Sequence, residues 1–500
     1  MDLNGTSLEH ADIAGIQAAL FTGRVTARQL VDAYLDRIEA FDHAGPELNA
    51  VVRINQAARE QADALDDAYR QTGRAVGPLH GITMVIKDCL ETADMPTSFG
   101  SEIFADYRAD EDATVVAKLR AAGAIILAKT TLPDWATSWF SYSSHTGVTK
   151  NPYDLDRDPG GSSSGTGAAI AAGYATVGLG TDCGGSVRLP ASFCNLVGVR
   201  STPGLISRTG CNPLVSAQDT IGPMARSVED AARVFTVMAG FDQSDPLTYA
   251  YSVARAPASY VDSLVPNALQ GRRIGVLRSA FGADDDPNAS PVNHVMASAL
   301  DELRAGGATL VDVTIDDLSG WIGRTSLYTI KSKHDINTWL ASKPNPPAHT
   351  VAEIIDSGRY HKKLDLLEAL AAGPDDPLND VDYYTAYTAR EAFMKTVVNL
   401  IEANNLDTLV YPTCQIAAPT HEDTDSGLWN TLNFPTNTVI GSQTWMPSMT
   451  VPAGLTDSGL PVGMEILARP YDEPTMFTVG YGFEQVIGHR VYPESAPVSS

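Results

Sequence analysis

Two glycine-flanked serine clusters, with one lysine upstream of them, are the residues of this 500-residue chain whose types and spacing suit covalent chemistry. Gly160-Gly161-Ser162-Ser163-Ser164-Gly165 opens the stretch, and Cys183-Gly184-Gly185-Ser186 closes it. Glycine belongs where backbone N–H groups must come close to another group. A serine at the lip of such a turn lets a hydroxyl nucleophile and an anion-stabilising pocket share one loop. Other uses of a Gly/Ser cluster fit these residues poorly. A phosphate cradle needs Lys-Ser/Thr where Thr166-Gly167 stand, and a dinucleotide fingerprint needs glycine where Cys183 follows Gly178-Leu179-Gly180. A flexible linker does not match the small apolar run from Ala168 to Leu179, which calls for tight packing.

A serine nucleophile needs a base. Gly161-Ser162-Ser163-Ser164-Gly165 has the letters of a nucleophile elbow, but Arg157-Asp158-Pro159 precedes it where a buried strand is required. His80 falls in a turn and His145 in a polar loop, and both read as structural. No spacing of histidines and carboxylates suggests a metal. Lys87 ends the apolar, β-prone run Ile82-Thr83-Met84-Val85-Ile86. Burial disfavours the charged form of a lysine, and a neutral amine can take a proton from a hydroxyl. A lysine snorkelling at a strand edge is the competing reading, and spacing alone leaves both open.

The elements that must position these residues follow from periodicity. Ser7 is expected to cap a helix from Leu8, Thr26 a helix carrying Leu30, Val31, Tyr34, Leu35 and Ile38, and Ser227 a helix over Val228 to Ala239. Further helices are expected over Gln56–Tyr69, Thr114–Ala122 and Val292–Leu303. Strands are expected at Ile82–Ile86, Ala124–Ala128, Gly271–Leu277, Thr309–Val313, Leu409–Pro412, Met449–Pro452 and Val462–Leu467. Strand, helix, strand at this spacing predicts parallel α/β pairing. Residues 315–390 read as the least regular part, an elaboration able to cover a pocket.

Composition bounds the function. With 44% hydrophobic residues the chain can bury a large core. A net charge of −25 opposes nucleic acid and anionic membranes as partners. Five cysteines at scattered spacings form neither a disulfide framework nor a zinc signature, which fits a reducing compartment, and a cytoplasmic location is expected. The polar start, Met1 to Thr6, lacks the features of a signal peptide, and no apolar run is long enough to span a membrane.

Taken together, GPLHGITMVIKD (77–88), GAIILAKTTLPDWA (123–136), NPYDLDRDPGGSSSGTGAA (151–169), GLGTDCGGSVRLPASFCNLVGVRSTPG (178–204), DTIGPMARSVEDAA (219–232) and GLPVGMEILARPYDE (459–473) resemble the amidase signature family of serine hydrolases. The resemblance covers most of the chain. It implies a single large α/β domain, a mixed twisted β-sheet sandwiched between helices. Residues 1–75 would be N-terminal helices packed on the core, 76–240 the signature core, and 241–500 the remainder of the same domain, with 315–400 a substrate-covering elaboration. It implies Ser186 as nucleophile, Ser162 as a bridging serine after a cis peptide, and Lys87 as base. The backbone N–H groups of Cys183, Gly184, Gly185 and Ser186 would form the oxyanion pocket, with Ser163, Asp182 and Arg188 orienting the loop. Trp135, Trp139, Tyr142, Trp321, Trp445 and Met446 are the candidates for an apolar acyl or aryl pocket.

The activity implied is hydrolysis of an aryl, peptide or other hydrophobic amide through a serine acyl-enzyme, using water and a small-molecule substrate, with no cofactor and no metal. Alternatives within the family are a carbamate or ester hydrolase, or the glutaminase subunit of a tRNA-dependent amidotransferase. Homodimers are common in the family. Thr83, Cys183 and Arg200 depart from its usual residues, and none of them is a triad position. Cys183 puts a thiol beside the oxyanion loop, which predicts sensitivity to thiol reagents.

Overall fold

Met84, Val85 and Ile86 are wholly buried, and side chains of this kind each stabilise a fold by roughly 1.5–3 kcal/mol when removed from water. They belong to a strand buried along its whole length and lying inside an 11-stranded sheet. The computed structural model describes Leu3, residues 6–488 and residues 490–497. The N-terminal stretch read above for targeting lies, apart from Leu3 and Thr6, outside them.

The strands are β1 (Val51–Ile54), β2 (Thr83–Lys87), β3 (Ile125–Thr130), β4 (Val177–Asp182), β5 (Val197–Arg200), β6 (Thr220–Ala225), β7 (Arg273–Leu277), β8 (Thr309–Val313), β9 (Thr408–Pro412), β10 (Ser448–Leu455) and β11 (Pro461–Leu467). Their order across the sheet is β1-β3-β2-β4-β6-β5-β10-β11-β9-β7-β8. β2 pairs in parallel with both β3 and β4, and β7 in parallel with β8 and β9. The other pairings are antiparallel, so the sheet is mixed, as expected. A strand flanked on both sides by parallel neighbours is covered on both faces, which is why β2 reads as continuously apolar.

The seven strands expected from the sequence are present. β1, β4, β5 and β6 were not anticipated. β4 contains Gly178 and Gly180, and β6 contains Gly222 and Pro223, so local propensity argued against them. The glycine-rich stretch also holds a helix, Ser164–Ala171. It is wholly buried there, and a Cβ at Gly165 would collide with the backbone of Ala50 and Thr131. Close approach to the sheet, not helix propensity, selects glycine at that position.

Thr26 and Ser227 cap helices Ala27–Ile38 and Val228–Met238 as expected. At the N-terminus the cap is Asp12, whose carboxylate accepts from Gly15 N, and the helix runs over Ile13–Phe21 instead of starting at Leu8. The segment expected to be irregular is largely helical, with helices Leu318–Arg324, Tyr328–Ala341, Val351–Asp356, Asp365–Ala371 and Val381–Ala403. Among the described residues no helix is long and apolar enough to cross a membrane.

Candidate active site

Lys87 is the last residue of β2 and is wholly buried. Its Nζ lies 2.7 Å from Ser162 Oγ and 2.9 Å from Thr181 Oγ1. Another buried lysine gives the contrast. Lys129 on β3 is equally buried, but its Nζ sits 3.0 Å from the carboxylate of Asp88. Lys87 has no carboxylate ion-pair partner among the described residues. Burial pushes its amine below the ordinary 10.5, against the weaker pull of Cys89, Cys211, Asp182 and Asp219. Hydroxyl partners with no paired charge are what a neutral amine requires.

Ser162 is wholly buried and follows a cis peptide bond at Gly161–Ser162. Its neighbour ties the two serine clusters together. Ser163 N donates to Ser186 O at 3.1 Å, and Ser163 Oγ accepts from Thr181 N at 3.3 Å. The second cluster leaves the end of β4 and leads into helix Arg188–Phe193. Within it, the amides of Gly184, Gly185 and Ser186 find no backbone acceptor among the described residues.

Asp182 anchors that loop. Its carboxylate accepts from Arg188 Nε and Nη2 at 3.0 Å each, from Arg200 Nη1 at 2.9 Å and from Val187 N at 3.2 Å. Arg188 Nη2 also donates to Ser442 Oγ at 2.9 Å, and Nη1 pairs with Glu465 on β11. Burial pushes the Asp182 carboxyl up, but the guanidinium groups of Arg188 and Arg200 hold it well below the carboxylate range. Two cations and two carboxylates are thus buried as one paired network, which fixes the end of β4 relative to β5 and β11.

A cavity of about 340 Å³ opens beside Ser162 and Thr181, and Cys211, Asp219, Arg208 and Trp339 also line it. A narrow cleft holds Ser186 with Gly184, Trp139, Tyr328 and Leu366. Ala136, Cys183 and Leu214 border both.

Of the side chains expected to form an apolar pocket, only Trp139 lines this cleft. Trp135 is sealed into the core, stacked on Phe99 with edge contacts to Phe104 and Trp339. Tyr142 stacks on His361, and its hydroxyl lies 2.8 Å from Thr424 Oγ1 and 2.9 Å from Asp425 Oδ1, which accepts its proton. Trp321 stacks on Phe393. Met446 is buried in the smaller of two core clusters. Trp445 borders a separate cavity with Tyr387 and Tyr471. Aromatic type alone did not distinguish a pocket wall from core filler.

The Cys183 thiol is buried at the loop. Burial, with Asp219 beside it, pushes the thiol well above its ordinary value, so the thiolate that alkylation requires is disfavoured. Thr181, Glu465 and Trp339 were missed. Thr181 and Glu465 lie inside motifs quoted above, where their positions were the available signal; Trp339 had none.

A mixed sheet places the buried Lys87 amine against the hydroxyls of Ser162 and Thr181, beside the glycine turn that carries Ser186, and these are the kinds of group that a serine hydrolase with lysine in place of histidine uses. The amidase family profile matches residues 29–477, and the chain belongs to that family, the amidase signature enzymes. It is 31% identical to a glutamyl-tRNA(Gln) amidotransferase subunit from Chloroflexus aurantiacus, across 96% of this chain and 97% of the relative. The structure of the peptide amidase from Stenotrophomonas maltophilia is similar with a TM-score of 0.85 at 34% identity, covering 97% of this chain and 98% of that one. An amidase family protein from Bacillus anthracis is similar at 30% identity and a TM-score of 0.83, covering 97% and 93%.

Proposed function

We propose that this chain hydrolyses the C–N bond of an uncharged hydrophobic carboxylic amide, with Ser186 as nucleophile, Ser162 as relay and Lys87 as base. The observation that carries this reading is the Lys87 amine, buried, with no carboxylate ion-pair partner among the described residues, and 2.7 Å from Ser162 Oγ. Neutral Lys87 takes the Ser162 proton as Ser162 takes that of Ser186. Ser186 Oγ attacks the carbonyl carbon, and the N–H groups of Cys183, Gly184, Gly185 and Ser186 receive the developing oxyanion, each such donor contributing roughly 3–4 kcal/mol in comparable sites. The proton returns through Ser162 to the leaving nitrogen, which departs as a neutral amine. Water then cleaves the acyl ester by the same relay run again, releasing the acid. Ser163, Asp182 and Arg188 hold the loop in place.

Trp139, Leu214 and Leu366 around Ser186 support an apolar acyl or aryl group. The cationic side chain of Arg208 in the larger cavity is already taken, by Asp245 at 2.7 and 2.9 Å and by Ser216 O. That supports a substrate without a free carboxylate. Carbamates and esters present the same carbonyl and would use the same steps. The relatives that are amidotransferase subunits support a second reading, a glutaminase acting with partner subunits. The purified chain should be assayed on anilides, peptide amides, carbamates, esters and glutamine. The first reading expects kcat/KM on hydrophobic amides to exceed that on glutamine by about 100-fold or more, since a buried unpaired carboxylate is costly. A preference for glutamine would transfer the assignment to the second.

The pH profile is a further expected result. Activity needs unprotonated Lys87, and burial lowers its pKa from 10.5. kcat/KM should therefore rise with pH through that lowered value and fall as acid protonates the amine. A profile with no fall on its acid side at any pH where the protein stays folded would remove Lys87 as the base.

A further inference from the structure

The oxyanion loop carries its amides on a strand of glycines, and glycine by itself does not hold a peptide plane in one orientation. Something must turn those planes. In a trans peptide the C=O of one residue and the N–H of the next point in opposite directions. Fixing a carbonyl on one side of the loop therefore aims the following N–H at the other side.

Side chains hold two consecutive carbonyls of this loop, with Arg200 Nη1 a longer third contact at 3.5 Å from Cys183 O. Gln218 Nε2 donates to Cys183 O at 2.8 Å, and Thr438 Oγ1 donates to Gly184 O at 2.7 Å. Both side chains are buried. Gln218 comes from the residues just before β6 and Thr438 from the residue preceding helix Val439–Gln443, so the loop is held between two distant parts of the chain. We propose that Gln218 and Thr438 are positioning residues that aim the N–H groups of Gly184 and Gly185 into the cleft at Ser186. The proposal rests on the reading of Ser186 as nucleophile.

The donor directions are determined by chemistry. A carbonyl only accepts, so the Gln218 amide must present nitrogen to Cys183 O; its Oε1 has no hydrogen-bond partner among the described residues. A threonine hydroxyl has one proton. Thr438 gives its proton to Gly184 O, so the 2.7 Å contact between Thr436 and Thr438 hydroxyls must run from Thr436 to Thr438. Thr436 thereby sets the rotor of Thr438. The fit also explains Gly185, which has φ +134°, and where a Cβ would collide with Thr438 Oγ1. Thr438 can reach the Gly184 carbonyl because its neighbour in the loop has no side chain.

Gln218→Leu and Thr438→Val remove the donors while keeping volume. Thr438→Ser keeps the hydroxyl. Two readouts are taken: turnover of a hydrophobic amide, and the rate at which a fluorophosphonate labels Ser186, which needs the same N–H groups but no amide substrate. Each donor-less variant is expected to lose about 10- to 100-fold in kcat with KM within about 2-fold, and to lose labelling rate in parallel, as misaimed donors do. Its pH midpoint should not move, because Lys87 is untouched, and Thr438→Ser should restore most of the rate. Thermal melts report folding. Variants that label and turn over like the parent would overturn the proposal, as would a loss confined to KM. A parent chain that labels readily but cleaves no amide would instead overturn the functional reading, and the labelling rates of the variants would still decide the role of Gln218 and Thr438.

Discussion

Replacing Ser186 or Lys87 by alanine is expected to lower amide turnover by on the order of 10⁴-fold or more, with the double variant no worse than the poorer single. In the proposed relay the two side chains act on one proton path. Without the Ser186 hydroxyl there is no acyl acceptor, and without the Lys87 amine, 2.7 Å from Ser162, the hydroxyl proton has nowhere to go. Residual activity would come from the oxyanion donors and substrate binding alone. Single-turnover kinetics with enzyme in excess, its concentration taken from absorbance, would measure it. Retention of near-parental turnover in either variant would remove the assignment. A companion result separates catalysis from folding. Lys87 is a buried amine with no carboxylate ion-pair partner among the described residues, so Lys87→Met is expected to keep or raise the melting temperature while abolishing turnover. A marked fall in melting temperature would mean that Lys87 is there for structure.

The largest effect on stability is expected at Asp182. Asp182→Ala leaves Arg188 and Arg200 buried with their shared carboxylate gone, and breaking a pair of this kind typically costs about 3–5 kcal/mol. Glu465 remains for Arg188, but Arg200 has no carboxylate partner among the described residues other than Asp182. The effect carries a pH signature. The folded Asp182 carboxyl lies well below its ordinary 3.8, so its stabilisation is complete above that value and is lost as pH falls through the lower, folded one. Urea unfolding should show the gap between parent and variant constant near neutrality and narrowing below about pH 3.8. A gap that stays unchanged in acid, or a variant as stable as the parent, would contradict the network account.

The sequence made some of this legible and left the rest out of reach, for reasons that differ from residue to residue. Lys87 could be read because a lysine ending an apolar strand is chemically conspicuous, and β2 could be read because both of its faces are covered. β4 and β6 could not, since their glycines and proline speak against a strand until neighbouring strands supply the hydrogen bonds. The helices between Leu318 and Ala403 were hidden by a pattern with no clear apolar stripe. Trp135 and Trp139 sit four residues apart and look alike as letters, yet one stacks in the core and the other faces Ser186.

The amino-acid sequence by itself determined the chemistry on offer: an amine, two hydroxyls and a glycine loop, in a chain apolar enough to bury them. Only the tertiary structure decided which charges are paired and which amine stands alone. Lys129 has Asp88 while Lys87 has two hydroxyls, and Arg188 meets a carboxylate 277 residues away. Protonation, donor direction and pocket walls are properties of neighbours in space, and residue type and spacing do not specify partners brought together by folding.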